Sequence, residues 1–274
     1  MTTVLRYAAF TSDPAGGNPA GVVLDAHELD DAAMQSIAAD VGYSETAFLT
    51  GPAADVQPVR YFSPKAEVPF CGHATVATAV ALAERDGPGE IVFSTQAGLV
   101  PVSVDADLRA TLTSVEPSVE DADDVPGALA LLNWSPDDLN PDLPPRIAYA
   151  GARHLVLSTA TRRRLADLDY DFDGLTAYML DRDLTTLQLV WQESPTVFHV
   201  RDPFPVGGVV EDPATGAAAA AFGAYLRELG RDQPTITLHQ GDDLGRPSLI
   251  TVALRPDDRR VRVSGNAVPI TARG

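Results

Sequence analysis

This 274-residue chain has one cysteine, one lysine and no long apolar run. With Cys71 alone, an intramolecular disulfide framework and any Cys-x-x-Cys metal site are excluded. Lys65 is the single lysine, and 20 basic residues face 38 acidic ones, for a formal net charge of −18. That balance argues against nucleic acid or an anionic membrane as partner, since both are bound through clustered Lys and Arg. The run Arg162-Arg163-Arg164 reads as a solvated helix face. No charged segment followed by an apolar one opens the chain, and nothing approaches the ~18 apolar residues of a membrane span, so a soluble cytoplasmic protein is expected. The five histidines form no i, i+4 pair and no His-Glu-x-x-His occurs, so a catalytic zinc is not expected. A Walker loop and a dinucleotide fingerprint are also missing.

Two Gly-containing segments run into alanine-rich stretches: Phe70-Cys71-Gly72-His73-Ala74-Thr75, and Glu211-Asp212-Pro213-Ala214-Thr215-Gly216-Ala217. The stretches that follow, ATVATAVALA from Ala74 and AAAAAFGAYL from Ala217, are apolar on nearly all sides, so each must be covered on nearly all sides. The first turn of a helix has unpaired N–H groups and a partly positive dipole end, and glycine there lets a ligand approach the backbone. The pair predicts two central helices, whose starts either bind a carboxylate or are the glycine-led starts of two ordinary buried helices.

Short β-branched or aromatic segments are expected as strands at 4–10, 21–24, 45–50, 59–62, 90–94, 99–104 and 109–114, and again at 147–149, 154–158, 186–191, 197–200, 235–239, 249–254 and 261–264. A helix is expected over 31–41, with Ala33, Ile37, Ala38 and Val41 on its buried face. The Asp- and Pro-rich residues 116–145 read as a connector with a short helix near 127–133. The theme then repeats, with a helix over 216–229. The fold class is α+β: two similar halves, each a curved, mostly antiparallel sheet or barrel around a central helix. The expected halves are residues 1–115, with 265–274 packing back onto them, and residues 116–264, with an active site in the cleft between.

Glu45 opens an otherwise apolar strand, where it serves as a proton-transfer acid or base or lies on a surface edge. His73, one residue inside a helix start, is a hydrogen-bonding imidazole or only a cap. Asp212, before Pro213, caps the Gly216 helix or reaches a substrate group. A thiolate beside a helix start would be reactive. However, an epimerase working through two opposed thiols needs two cysteines, so Cys71 reads as a small buried hydrophobe.

The blocks Phe10-Thr11, Gly17 to Val23, Ser44 to Phe48, Arg60 to Pro64, Cys71 to Thr75, Arg201 with Phe204-Pro205, Glu211 to Gly216, Gln240-Gly241 and Gly245 to Ser248 resemble, in this order, the phenazine-biosynthesis isomerase (PhzF-like) family. The resemblance implies a diaminopimelate-epimerase-like fold and a homodimeric isomerase that needs neither cofactor nor metal. It matches the family's proton-moving glutamate to Glu45 and its histidine and aspartate to His73 and Asp212. For the phenazine enzyme the substrate is trans-2,3-dihydro-3-hydroxyanthranilate. Gly72, Gly216 and the amide after it, with Asn18, are the candidates for binding a substrate carboxylate. One departure is Ala217, which stands where the family motif carries a serine. Its hydroxyl is missing, while the backbone N–H remains. A racemase or epimerase of a small amino or hydroxy acid, and a non-catalytic small-molecule binder, are the alternative readings.

Overall fold

The computed structural model describes residues 2–52 and 55–271. Residues 272–274, the end of the segment expected to pack back, lie outside these. The chain divides into two units, Met1–Thr113 with Ser264–Gly274, and Ser114–Val263.

The first unit runs β1 (Leu5–Ala9), β2 (Asn18–Val23), α1 (Asp31–Val41), β3 (Glu45–Leu49), β4 (Val56–Phe62), β5 (Glu67–Val68), α2 (Gly72–Asp86), β6 (Gly89–Thr95), β7 (Gly98–Val104) and β8 (Arg109–Thr113). The second runs β9 (Ser118–Asp121), α3 (Val125–Leu131), β10 (Arg146–Tyr149), β11 (Arg153–Thr159), α4 (Arg162–Ala166), α5 (Phe172–Asp181), β12 (Thr186–Ser194), β13 (Val197–Pro203), β14 (Glu211–Asp212), α6 (Gly216–Glu228), β15 (Thr235–Gln240), β16 (Ser248–Arg255) and β17 (Asp258–Pro269), whose last six residues belong to the first unit.

Pairing in the first unit closes a ring, β1-β2-β3-β4-β6-β7-β8-β17 and back to β1. The sheet is mostly antiparallel. Each parallel pair there, β2 with β3 and β4 with β6, is spanned by a helix, because a parallel return needs a crossover. The second unit repeats the scheme. β11 and β12 are parallel across α4 and α5, and β13 and β15 are parallel across α6. β10–β11, β12–β13, β13–β14 and β15–β16 are antiparallel, as are β1–β2, β3–β4, β4–β5 and β6–β7.

Both alanine-rich helices are covered as their composition requires. Every residue from His73 to Ala83 of α2 is buried, and α2 packs on β1, β2, β3, β7 and β8. Ala218 to Leu226 of α6 are likewise buried, against β9, β10, β11, β12 and β16. Small residues let the strands approach. A Cβ on Gly223 would sit 2.7 Å from Val252 Cγ1. Each unit also has a second layer of packing. Met34 and Ala38 of α1 pack with Val23, Phe48 and Phe62, and α5 buries Leu175 and Met179 against Leu187 and Leu189.

Several expectations are corrected here. In α1 the fully buried residues are Met34 and Ala38, while Ala33, Ile37 and Val41 are half-buried. The stretch 116–145 contains a strand, β9, besides its helix, and Asp124 starts that helix by capping Gly127 N. Helix α5 was not anticipated, because its apolar residues Leu175, Tyr178 and Met179 form a stripe too short to stand out from strand-like sequence.

Candidate active site

In the first unit, β2, β3 and the start of α2 bring four side chains together. Glu45 begins β3, and Asn18 begins β2; the parallel register pairs Ala20 with Glu45, so both strands start at the same end of the sheet. His73 enters from the first turn of α2 and is buried, as is Asn18. Asn18 Nδ2 lies 3.1 Å from His73 Nδ1. An amide N–H donates, so Nδ1 accepts and the ring proton sits on Nε2. Nε2 faces Ser44 Oγ at 3.3 Å and Glu45 Oε2 at 3.4 Å. The Glu45 side chain is 16% exposed, enough to meet a ligand and little enough to be shielded from bulk water.

Cys71 Sγ lies 3.4 Å from His73 Nδ1 and the thiol is buried. Glu45, Cys71 and His73 offer ligand atoms within 4.8 Å of one another, and among the described residues these three form the group that could hold a metal ion. The His73 nitrogens also face Asn18 and Ser44.

Four helices are capped at their start by a side chain: Asp30 on Ala33 N, Asp124 on Gly127 N, Thr161 on Arg164 N and Asp171 on Gly174 N. The helices α2 and α6 begin at Cys71 and Thr215, whose side chains make no capping bond. Gly72 is half-buried, and a Cβ there would meet nothing closer than Phe70 at 4.0 Å. Packing therefore does not require that glycine.

In the second unit Asp212 ends β14, and Gly216 and Ala217 open α6; all three are half-buried. Asp212 Oδ2 accepts the Thr215 hydroxyl at 2.5 Å. Gln240 braces this turn. Its Oε1 accepts from Thr215 N at 3.0 Å, and its Nε2 donates to the Asp212 carbonyl at 2.8 Å and reaches Thr215 Oγ1 at 3.1 Å. Behind the turn, Arg201 forks onto Glu211 at 3.0 and 2.5 Å and donates to the Ala166 carbonyl at 2.8 Å. The Glu211 side chain is fully enclosed, so removing either partner leaves a buried charge, at a cost of about 3–5 kcal/mol.

Asn18, Glu45, Gly72 and His73 thus gather in one unit, and Asp212, Gly216 and Ala217 in the other. Ser44, Thr215 and Gln240 were not among the expected site residues. Ser44 adjoins Glu45 and Gln240 precedes a glycine, but nothing local in the sequence marks either as a partner of His73 or Thr215.

A family model described as phenazine biosynthesis-like protein (PhzC-PhzF) matches residues 7–273. The chain is 31% identical over 285 residues to the uncharacterised isomerase YfhB of Bacillus subtilis, covering 97% of this chain and 95% of that one. It is 31% identical to the trans-2,3-dihydro-3-hydroxyanthranilate isomerase of Pseudomonas chlororaphis, covering 95% and 94%. Among solved structures it is similar to a phenazine biosynthesis protein of the PhzF family from Bacillus anthracis, with a TM-score of 0.87, 26% identity and coverage of 98% and 97%. A hydroxyproline epimerase from Agrobacterium vitis shares the fold, with a TM-score of 0.66 at 13% identity over 97% and 88% of the chains. Two sheets each wrapped around a helix are the architecture that the resemblance implied. The chain belongs to the phenazine biosynthesis-like (PhzC-PhzF) family and is an isomerase.

Proposed function

We propose that this protein isomerises a small carboxylate-bearing substrate by acid–base proton transfer through Glu45, without cofactor or metal. The observation that carries the reading is the Glu45–His73 pair at 3.4 Å, placed beside a helix start that no side chain caps. Glu45 removes a proton from a carbon activated by conjugation and returns it at another carbon. One carboxyl group serves as base and then acid because the site is nearly closed to water. His73, held by Asn18, presents its Nε2–H to the carboxylate and fixes its direction. Asp212 is the further acid–base group. The N–H groups that follow Gly72 and Gly216, with Asn18 near the first of them, bind the substrate carboxylate in place of a capping side chain. Ala217 supplies an amide and no hydroxyl, which favours a substrate that makes no demand for a side-chain donor there. A cytoplasmic homodimer fits this reading.

A racemase of the two-thiol kind is not favoured, because Cys71 has no second cysteine to oppose it. A pure binder has no need of a buried histidine aimed at a carboxylate. The reading is tested with Glu45→Gln. This nearly isosteric change lowers kcat on trans-2,3-dihydro-3-hydroxyanthranilate, or on the small carboxylate that proves to be the substrate, by about 10²–10⁴-fold. Binding measured by calorimetry survives. Undiminished turnover in that variant removes Glu45 from the mechanism.

A further inference from the structure

Beneath the start of α2, Tyr61 is buried with its hydroxyl 2.6 Å from Thr75 Oγ1. Thr75 donates its own hydrogen to the Cys71 carbonyl at 2.6 Å, so the Tyr61 hydroxyl must supply the hydrogen between them. Burial pushes the Tyr61 phenol well up, and it stays a neutral donor.

The repeat sets Asp202 at the matching place in the second unit. β4 pairs with β5 as Tyr61 with Val68 and Phe62 with Glu67; β13 pairs with β14 as Asp202 with Asp212 and Pro203 with Glu211. The preceding ion pairs coincide too, Arg60 with Glu67 and Arg201 with Glu211. Asp202 is 0% exposed. Its Oδ2 accepts from Gln240 Nε2 at 3.2 Å, and its Oδ1 has no hydrogen-bond partner among the described residues. The Thr215 hydroxyl reaches Asp202 and also lies 2.5 Å from Asp212 Oδ2. One hydroxyl hydrogen cannot serve two carboxylates.

We propose that Asp202 is a neutral carboxylic acid whose O–H donates to Thr215 Oγ1, so that the Thr215 hydrogen is committed to Asp212 and orients that carboxylate. Asp202 is therefore a positioning residue for Asp212. Its catalytic consequence rests on the isomerase reading; its protonation does not. Burial foremost, with the negative charges of Asp212 and Glu211 added, pushes the Asp202 carboxyl well above the usual carboxylate range. Those two are the charged groups that act on it, and Arg201 is committed to Glu211.

Infrared difference spectroscopy of the intact protein at neutral pH tests the proton itself. Wild type shows a protonated-carboxyl C=O band that shifts in D2O and is missing from Asp202→Asn. Stability gives a second readout. A carboxyl raised on folding stabilises the native state most below its unfolded value near 4, and that contribution fades as pH rises above it. Asp202→Asn, which cannot ionise, therefore gains thermal stability relative to wild type as pH rises from about 4. Kinetically, Asp202→Asn keeps the donor and retains kcat within about threefold, while Asp202→Leu loses about tenfold or more in kcat with little change in KM. The proposal is overturned if wild type lacks the band, if Asp202→Asn keeps it, or if Asp202→Asn is as impaired as Asp202→Leu. Should Asp202→Leu fail to fold, the band and the pH-dependent stability of Asp202→Asn decide alone. Failure of wild type to turn over substrate counts against the isomerase reading and leaves the spectroscopic outcome intact.

Discussion

Cys71 Sγ lies 3.4 Å from His73 Nδ1, close enough to invite a thiol–imidazole mechanism. The same Nδ1 accepts from Asn18, however, and the ring proton points the other way, toward Glu45. A base that has already accepted a hydrogen bond from an amide is poorly placed to take one from the thiol. Cys71→Ala is therefore expected to keep kcat/KM within about threefold in a steady-state assay, and a loss of about a hundredfold, near 2.7 kcal/mol, would restore the thiol as a participant. His73 and Asp212 stand out in the sequence because each sits in a block that runs into a glycine-led helix, and Glu45 because it opens an otherwise apolar strand. Asp202 could not. It occupies an ordinary strand position in Arg201-Asp202-Pro203, and only the pairing of Asp202 with Asp212 shows that two carboxylates share one corner. Ser44 and Gln240 were hidden for the same reason: their partners are 29 and 25 residues away.

At the scale of elements, α2 and α6 are each the buried core of their own unit. Their alanines and glycine let the strands come close, and their first turns carry the candidate ligand-binding amides. Gly223 marks the closest approach, where an added Cβ would meet Val252, Val261 and Leu254 at 2.7, 3.1 and 3.2 Å. Alanine is favoured over glycine in a helix by about 1 kcal/mol, yet overpacking costs about 1–3 kcal/mol. Gly223→Ala is accordingly expected to destabilise, by up to about 2 kcal/mol in urea unfolding, against the direction that helix propensity alone gives. A stabilised variant would mean that β16 and β17 yield easily. The central helices were legible because a run of small apolar residues has only one consistent placement, full enclosure. The outer helices were less so. α5 borders strands of similar composition, and its start rests on a local Asp171 cap rather than on a long periodic stripe.

On the scale of the whole molecule, β-strand pairings and helical crossovers repeat in the two units, and the repeat is broken at particular residues. The ion pair behind each turn is kept, Arg60 with Glu67 and Arg201 with Glu211, while Tyr61 is matched by Asp202. Buried titratable groups also set how stability responds to acid. His154, fully buried with Nδ1 2.8 Å from Thr186 Oγ1, is pushed down by burial to about 3. Its folded value lies below the unfolded value of about 6.5, so the native state is favoured above that pH and loses up to several kcal/mol as pH falls toward 3. Thermal melts between pH 7 and pH 4 are expected to show a steeper loss for wild type than for His154→Gln. Coincident acid limbs would assign the loss elsewhere. Asp202 acts in the opposite sense, which makes the two variants separable in one pH series. No helix among the described residues is long and apolar enough to cross a membrane.

The most direct test of the proposed chemistry is deuterium uptake from D2O into trans-2,3-dihydro-3-hydroxyanthranilate and a panel of small unsaturated, amino and hydroxy carboxylates, followed by mass spectrometry for wild type and Glu45→Gln. Uptake at carbon by wild type and none by Glu45→Gln is the predicted result. Uptake by Glu45→Gln at the wild-type rate would contradict the assignment of Glu45 as the group that moves the proton.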